Sequence, residues 1–284
     1  LDTRFLESLL VVAETGSIAA AARQQGLTAA GVSQRIRVLE AQLGVGLLNR
    51  SAHAALPTDA CLRLLPAARK LVNDAHDLSR HIDPTGLSGP FRLGAVSTGL
   101  LDCAPAVNRL FQEEAPEAEL TFRPGTSAGL YQDLLDGALD AIITVAAPFE
   151  LPKSLQSTII ATQPVLHAAP PPAFAPDTAA LPWIVYDRAS WGGRKIWEVH
   201  GREVNQGRIL CELDALETIA LMVSQGMGQA YIPAWNRLAD QFPDLTLSSK
   251  AANSHRDMVF LRPHASGASA LANLVLKALQ TQVA

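Results

Sequence analysis

Apolar residues recur at helical spacing through the first 57 positions. Phe5, Leu6, Leu9, Leu10 and Ala13 form a stripe that closes near Gly16. Ser17 is a capping residue for a second helix over residues 18–25, rich in alanine, and Gly26 stops it. Thr28 caps a third segment, TAAGVSQRIRVLEAQLG, over residues 28–44. On a helical wheel Val32, Ile36, Leu39 and Leu43 share one face of it, with Ala30, Ser33, Gln34, Arg37 and Ala41 broadly opposite. Two helices joined by so short a Gly-containing turn predict a helix-turn-helix. A longer helix follows over residues 58–82. Its Cys61, Leu65, Ala68, Val72, Ala75, Ser79 and Ile82 repeat like a heptad seam, widened by Leu64, Leu71 and Leu78 and interrupted by Pro66. Such a seam suits either a partner helix or the helix's own domain.

DPTGLSGP, residues 83–90, is a turn-rich break and the predicted domain boundary. Beyond it the pattern alternates. Strands are predicted at FRLGAV (91–96), AELTFRP (118–124) and within ALDAIITVA (138–146), with helices over 105–115 and 128–137. This β-α-β-α-β order implies a parallel sheet. PPPAFAP (170–176) reads as a loop, and WIVYD (183–187), GRILCEL (207–213) and MVFLRP (258–263) read as strands. DALETIALMVSQGMG (214–228) and residues 265–283 read as helices.

Composition narrows the class. At 48% hydrophobic and 18% charged residues the chain suits a folded protein and not a disordered one. No apolar run is long enough for a membrane span, and Asp2, Arg4 and Glu7 break up the N-terminal apolar stretch, so no membrane partner and no secretory signal are expected. Three scattered cysteines (Cys61, Cys103, Cys211) fit a reducing cytoplasm. The net charge of −4 hides an asymmetry: residues 1–82 hold 9 Lys/Arg and 7 Asp/Glu, the remainder 14 and 20. A mildly basic head on an acidic body is compatible with nucleic-acid binding without demanding it.

Two places carry candidate chemistry. In the third helix, Gln34 and Arg37 are able to hydrogen-bond base edges, and small residues such as Ala30 permit close approach to a groove. Thr28 and Ser33 offer hydroxyls to phosphate, while Arg35 sits to one side, better placed for the DNA backbone. Periodicity alone fits a solvated surface helix equally well. Farther along, Ser97, Thr98 and Gly99 follow the first strand, Thr126 and Ser127 the second, and Thr144 lies near the end of the third. Hydroxyls and helix amides converging at strand ends suit a carboxylate ligand, although N-capping accounts for each singly. Catalytic signatures are missing: GAVSTG has the wrong spacing for a nucleophile elbow, and no Walker loop or H-x-x-x-H pair occurs. Neither an enzyme nor a resident metal or cofactor is expected.

SIAAAARQQGLTAAGVSQRIRVLEAQLGVGLLNR resembles the N-terminal winged helix-turn-helix of LysR-type transcriptional regulators. Ala21–Ala22, Val32–Ser33, Ile36, Leu39–Glu40, Leu43–Gly44, Leu47–Leu48 and Arg50 fall at the family's spacing, and Thr58 matches the threonine that opens its linker helix. Departures occur at Ala29, Ala30 and Gly31, where side chains that read DNA are usual, at Gln25, at Cys61, and in the wing, where His53 is the one basic candidate. The resemblance implies an α/β fold of three parts: a winged helix-turn-helix (1–58), a long linker and dimerisation helix with its hinge (59–88), and a two-lobed, type 2 periplasmic-binding-protein-like effector domain (89–284). Its lobe I would be 89–161 plus 263–284 and its lobe II 162–262. Arg50 and His53 would join the DNA contacts. ELDALETIALMVSQGMGQAYIP would aim a helix N-terminus, with Leu213 and Asp214, at the cleft from the second lobe. There Arg188 would pair with a ligand carboxylate or lie on the surface, and Trp191 would stack on a ligand ring or cap the core. The implied partners are promoter DNA, a small organic co-inducer (a carboxylate or amino acid), a second copy as homodimer or dimer of dimers, and RNA polymerase. Alternatives are a two-lobed solute-binding protein, and a redox-sensing regulator using Cys103 and Cys211.

Overall fold

The computed structural model of the chain describes residues 1–50, 54–76, 78, 83–174, 180–251, 254–264 and 269–281. His53, the seam positions Ser79 and Ile82, and the extremes of the expected last helix lie outside these residues, as does the side chain of Arg50. The chain divides into two compact units, Leu1–Pro84 with Leu135–Ala138, and Thr85–Leu134 with Leu139–Ala284.

The first unit follows its caps. Helix α1 (Thr3–Thr15) ends on Gly16 at φ 67°, a left-handed conformation that costs glycine nothing. In α2 (Ile18–Gln24) the Ser17 hydroxyl accepts from the Ala20 amide, and in α3 (Ala29–Leu43) the Thr28 hydroxyl accepts from the Gly31 amide. Strands β1 (Leu48–Arg50) and β2 (Ala55–Pro57) pair antiparallel as a wing, and α4 (Asp59–His76) follows. Leu6, Leu9, Val12, Ala21, Val32, Ile36, Leu39 and Leu47 form the core. Glu40 fixes the turn from α3 into the wing: its Oε1 accepts from the amides of Leu47 (2.8 Å) and Leu48 (3.2 Å). Gln25, unusual by the family pattern, has a partner that explains it. The fully buried Ser8 hydroxyl donates to Gln25 Oε1 and in turn accepts from Arg35 Nη1.

One expectation is corrected here, and one left open is narrowed. Leu43, placed on the core face, is 37% exposed, because α3 ends there at Gly44. The expected seam is partly spent within its own unit: Cys61, Ala68 and Val72 join the core above, while Leu62 and Leu71 of α4, and Leu78 beyond its end, stay exposed.

The second unit has one apolar core on each face of its first sheet and another, separate from both, and hence two lobes. In the first, β3 (Gly89–Ala95) pairs parallel with β4 (Ala118–Pro124) and β5 (Ala141–Val145), as the alternating pattern implied. Helices α5 (Ser97–Glu114), α6 (Ser127–Leu135) and α10 (Ser269–Thr281) belong to this lobe. Helix α5 starts eight residues earlier than expected, with Pro105 inside it. An unanticipated strand, β6 (Leu155–Ala169), runs from one lobe into the other. Its first part pairs antiparallel with β11 (His255–Pro263), and its last five residues pair with β9 (Ala230–Pro233) and β10 (Thr246–Ser248) of the second lobe. Strand β11 also pairs with β5, so this segment joins the first lobe's sheet and not, as expected, the second lobe. The second lobe is completed by β7 (Trp183–Tyr186) parallel to β8 (Ile209–Leu213), and by α7 (Trp191–Val204), α8 (Leu216–Ser224) and the short α9 (Leu238–Gln241). Among the described residues no single helix is long and apolar enough to cross a membrane.

Candidate functional site: an exposed helix and an inter-lobe cleft

On α3 the buried stripe of Val32, Ile36 and Leu39 turns the other face outward. Thr28, Ala29, Ala30, Gln34, Arg37 and Ala41 are exposed and Ser33 is half-buried. The side chains of Gln34 and Arg37 make no hydrogen bond among the described residues, so both are available to an incoming partner. The Thr28 oxygen is occupied as a cap acceptor, which leaves its O–H to donate. Arg35 is differently placed from expectation: its Nη1 folds back to Ser8 Oγ (3.2 Å) and the Arg4 carbonyl (3.4 Å).

In the second unit a cleft of about 430 Å³ opens between the lobes. From the first lobe it is lined by Val96, Ser97 and Thr98 at the start of α5, and by Pro124 to Ala128 at the start of α6. From the second lobe come Tyr186, Asp187, Ala189, Ser190, Trp191, Asp214 and Leu216, and from β11 comes Arg256. The strand ends deliver these groups together because β3, β4 and β7 all point their carboxyl ends here. Helix α5 has no side-chain cap, so its first amides retain donor capacity toward an anion. Thr126 and Ser190, by contrast, cap α6 and α7 by accepting from the amides of Gly129 and Gly193. The lobes touch at the rim, where the Ser97 hydroxyl donates to Glu217 Oε2 at 3.0 Å.

Arg256 is the residue that pattern reading missed. It is 1% exposed, its Nε donates to Gln163 Oε1 (2.8 Å), and its Nη2 donates to Thr98 Oγ1 (2.9 Å). Burial pulls its pKa downward, opposed by the neighbouring Tyr186 and Asp102. The buried Tyr186 phenol is pushed upward chiefly by burial, and it couples to Arg256 and Asp214. Asp214 itself is pushed upward by burial and by the charge of Asp187.

Of the expected effector-site residues, Ser97, Thr98, Thr126, Ser127, Trp191 and Asp214 line this cleft. Four others do not. Gly99 is buried and lines a separate cavity of about 350 Å³ with Asp102 and Gln163. Thr144 is fully buried, its hydroxyl without a partner. Leu213 packs on the second lobe's core. Arg188 is committed elsewhere: its Nε and Nη2 grip Glu212 at 2.9 and 2.6 Å and its guanidinium lies 4.7 Å over the Trp197 ring. Trp191 both lines the cleft and packs edge-on against Phe149, with Tyr131 beside them, so it joins second-lobe helix α7 to the first lobe. Cys103 is buried in the first lobe's core, its thiol pushed up to about 12 by burial, whereas Cys211 packs on the second lobe's core. A thiol so placed is far from the low-pKa thiolate that redox chemistry uses. Among the described residues no cluster of His, Cys, Asp or Glu is arranged to hold a metal ion.

A winged helix-turn-helix unit carried with a two-lobed unit around a ligand-sized cleft defines the class of two-part regulators. Residues 3–62 match the family model of the bacterial regulatory helix-turn-helix protein, lysR family, and residues 84–284 match that of the LysR substrate binding domain. The chain belongs to the LysR family, which is one of DNA-binding transcriptional regulators and not of enzymes. Among similar proteins, the HTH-type transcriptional regulator HdfR of Salmonella typhimurium is 35% identical over 152 residues, 52% of this chain and 54% of the relative. The match thus covers about half the length of the curated relatives. The fold is shared end to end with CbnR, a LysR family transcriptional regulator (TM-score 0.72, 18% identity, all of both chains). CbnR complexed with its target DNA (0.69, 18%, 99% and 100%) and full-length OxyR of Pseudomonas aeruginosa (0.67, 19%, 100% and 94%) share it too.

Proposed function

We propose that this protein is a DNA-binding transcriptional regulator whose hold on promoter DNA is modulated by a small organic effector, a carboxylate or amino acid, in the inter-lobe cleft. The observation that carries the reading is the buried Arg256 guanidinium at the cleft, beside Thr98 and the uncapped start of α5. A cation kept out of water in this way is costly unless an anion or dipoles compensate it. On the DNA side, Gln34 and Arg37 read base edges, Thr28, Ala30 and Ser33 line the groove, and Arg50 and His53 of the wing approach the backbone. Arg35 supports α3 from behind. The parts divide as a winged helix-turn-helix (1–58), a linker (59–88) and an effector domain (89–284). The exposed leucines of α4 suit a homodimer or dimer of dimers, and contact with RNA polymerase completes activation or repression in the cytoplasm. The effector acts by shifting a pre-existing equilibrium between quaternary arrangements, which requires different affinities for the two. CbnR, solved with its target DNA, is the structural precedent.

The test is fluorescence anisotropy of the full chain with labelled DNA from its own promoter region. Sequence-specific binding is expected, and Arg37→Ala should weaken it by about tenfold or more while relaxing base preference at one position per half-site. Absence of sequence-specific binding at low salt, with or without candidate effectors, refutes the regulator reading. Unchanged preference in Arg37→Ala refutes the assignment of Arg37.

A further inference from the structure

The cleft is lined by charges of both signs, Arg256 on one hand and Asp187 and Asp214 on the other. Arg256 and Thr98 sit together, joined by the Nη2–Oγ1 hydrogen bond, next to the start of α5. The second lobe contributes Asp187 and Asp214, and among the described residues neither forms an ion pair. The neighbouring cation in the chain, Arg188, is held by Glu212. Backbone donation from Ala189 to Asp187 Oδ1 (2.9 Å) steadies that carboxylate without neutralising it.

We propose that the cleft selects a free α-amino acid, its carboxylate on Arg256 and Thr98 and its ammonium on Asp187 and Asp214. This deepens, and rests on, the reading of the cleft as the effector site. A simple organic anion would satisfy Arg256 but set its own charge toward Asp187 and Asp214, which form no ion pair among the described residues. A simple amine would satisfy those carboxylates and leave the guanidinium, which forms no ion pair among the described residues, without a ligand anion. A zwitterion answers both sides at once. Burial and the charge of Asp187 hold the Asp214 carboxyl above its ordinary value, opposed by Tyr186 and Arg256, and an ammonium beside it would favour its charged form. Trp191 and Leu216 supply apolar surface for the side chain, and the volume falls within the range of small-molecule sites.

The experiment uses the full chain and a panel of the twenty L-amino acids, read by thermal shift and then by calorimetry. The best binder is compared with its N-acetyl derivative and with its decarboxylated amine. A saturable rise in melting temperature is expected for at least one free amino acid. Each blocked form should bind about tenfold or more weakly. Asp214→Asn should weaken the free amino acid by a similar factor and leave the N-acetyl form where it was. The proposal is overturned if no amino acid binds, if the N-acetyl form binds as tightly, or if Asp214→Asn changes nothing. Tight binding of N-acetyl forms that Arg256→Gln abolishes would refute the zwitterion and preserve the effector cleft. Binding that survives a cleft-filling Thr98→Trp substitution would refute both.

Discussion

Arg256→Gln removes the one buried cation of the cleft and keeps a polar side chain of shorter reach. Two consequences are separable. In the protein, Gln163 Oε1 and Thr98 Oγ1 lose donors now at 2.8 and 2.9 Å. Each lost bond costs about 1 kcal/mol or somewhat more, offset in part because a charge no longer has to be held out of water. The fold should therefore survive with a modestly lower melting temperature. In the complex, a carboxylate loses a charge-assisted hydrogen bond worth about 1.5–3 kcal/mol, so its dissociation constant should rise by roughly 10- to 150-fold. Arg256→Lys keeps the charge without the planar fork and should fall between the two. Calorimetric titration with a carboxylate ligand that binds the unsubstituted protein reads the affinity, and thermal unfolding of the same samples reads the fold. A dissociation constant unchanged in Arg256→Gln, with the fold intact, would show that the guanidinium is not the anion receptor.

Three further outcomes follow from the geometry. Glu40→Ala leaves the amides of Leu47 and Leu48, both buried, without their acceptor; a loss of about 2–4 kcal/mol from the first unit is expected in denaturant titration, and a loss below about 0.5 kcal/mol would mean the carboxylate does not fix the wing. His200, stacked on Tyr231 at 3.8 Å and bonded to Ser254, and His167, bonded to Gln229, are both buried and pulled downward chiefly by burial. Their neutral forms belong to the folded state, so they contribute stability that is present above the ordinary histidine value near 6.5 and lost as pH falls below it. The slope reaches at most about 1.4 kcal/mol per pH unit for each proton refused, and His200→Gln should flatten it; a stability profile equally steep in that variant would refute the assignment.

What the sequence made legible follows from whether local chemistry and burial agree. Caps and glycine stops located α1 to α3 because Ser17, Thr28, Gly16 and Gly44 act within one turn of themselves. Strand β5 was visible because both its faces are buried, so every residue of AIITV is apolar or Thr. Strand β6 was hidden because it changes partners midway, near Pro164, and proline within a run argues against a strand. Helix α7 was hidden by Gly192 and Gly193, poor helix formers that are there for space. A Cβ on Gly193 would lie 2.0 Å from the Asp187 carbonyl oxygen, and one on Gly192 2.8 Å from the Tyr186 ring. Arg256 was hidden for a related reason. The apolar run puts the start of this strand at Met258, because charged residues in HRDMVF suggest exposure, yet β11 begins at His255 and places Arg256 where it meets Gln163 of β6. The misses at α7 and at Arg256 share one cause: a close approach or a buried polar group overrides local preference. Those conflicts cluster around the cleft, where Tyr186, Asp187, Gly192, Gly193 and Arg256 meet, as expected where a chain sacrifices local consistency for a binding site.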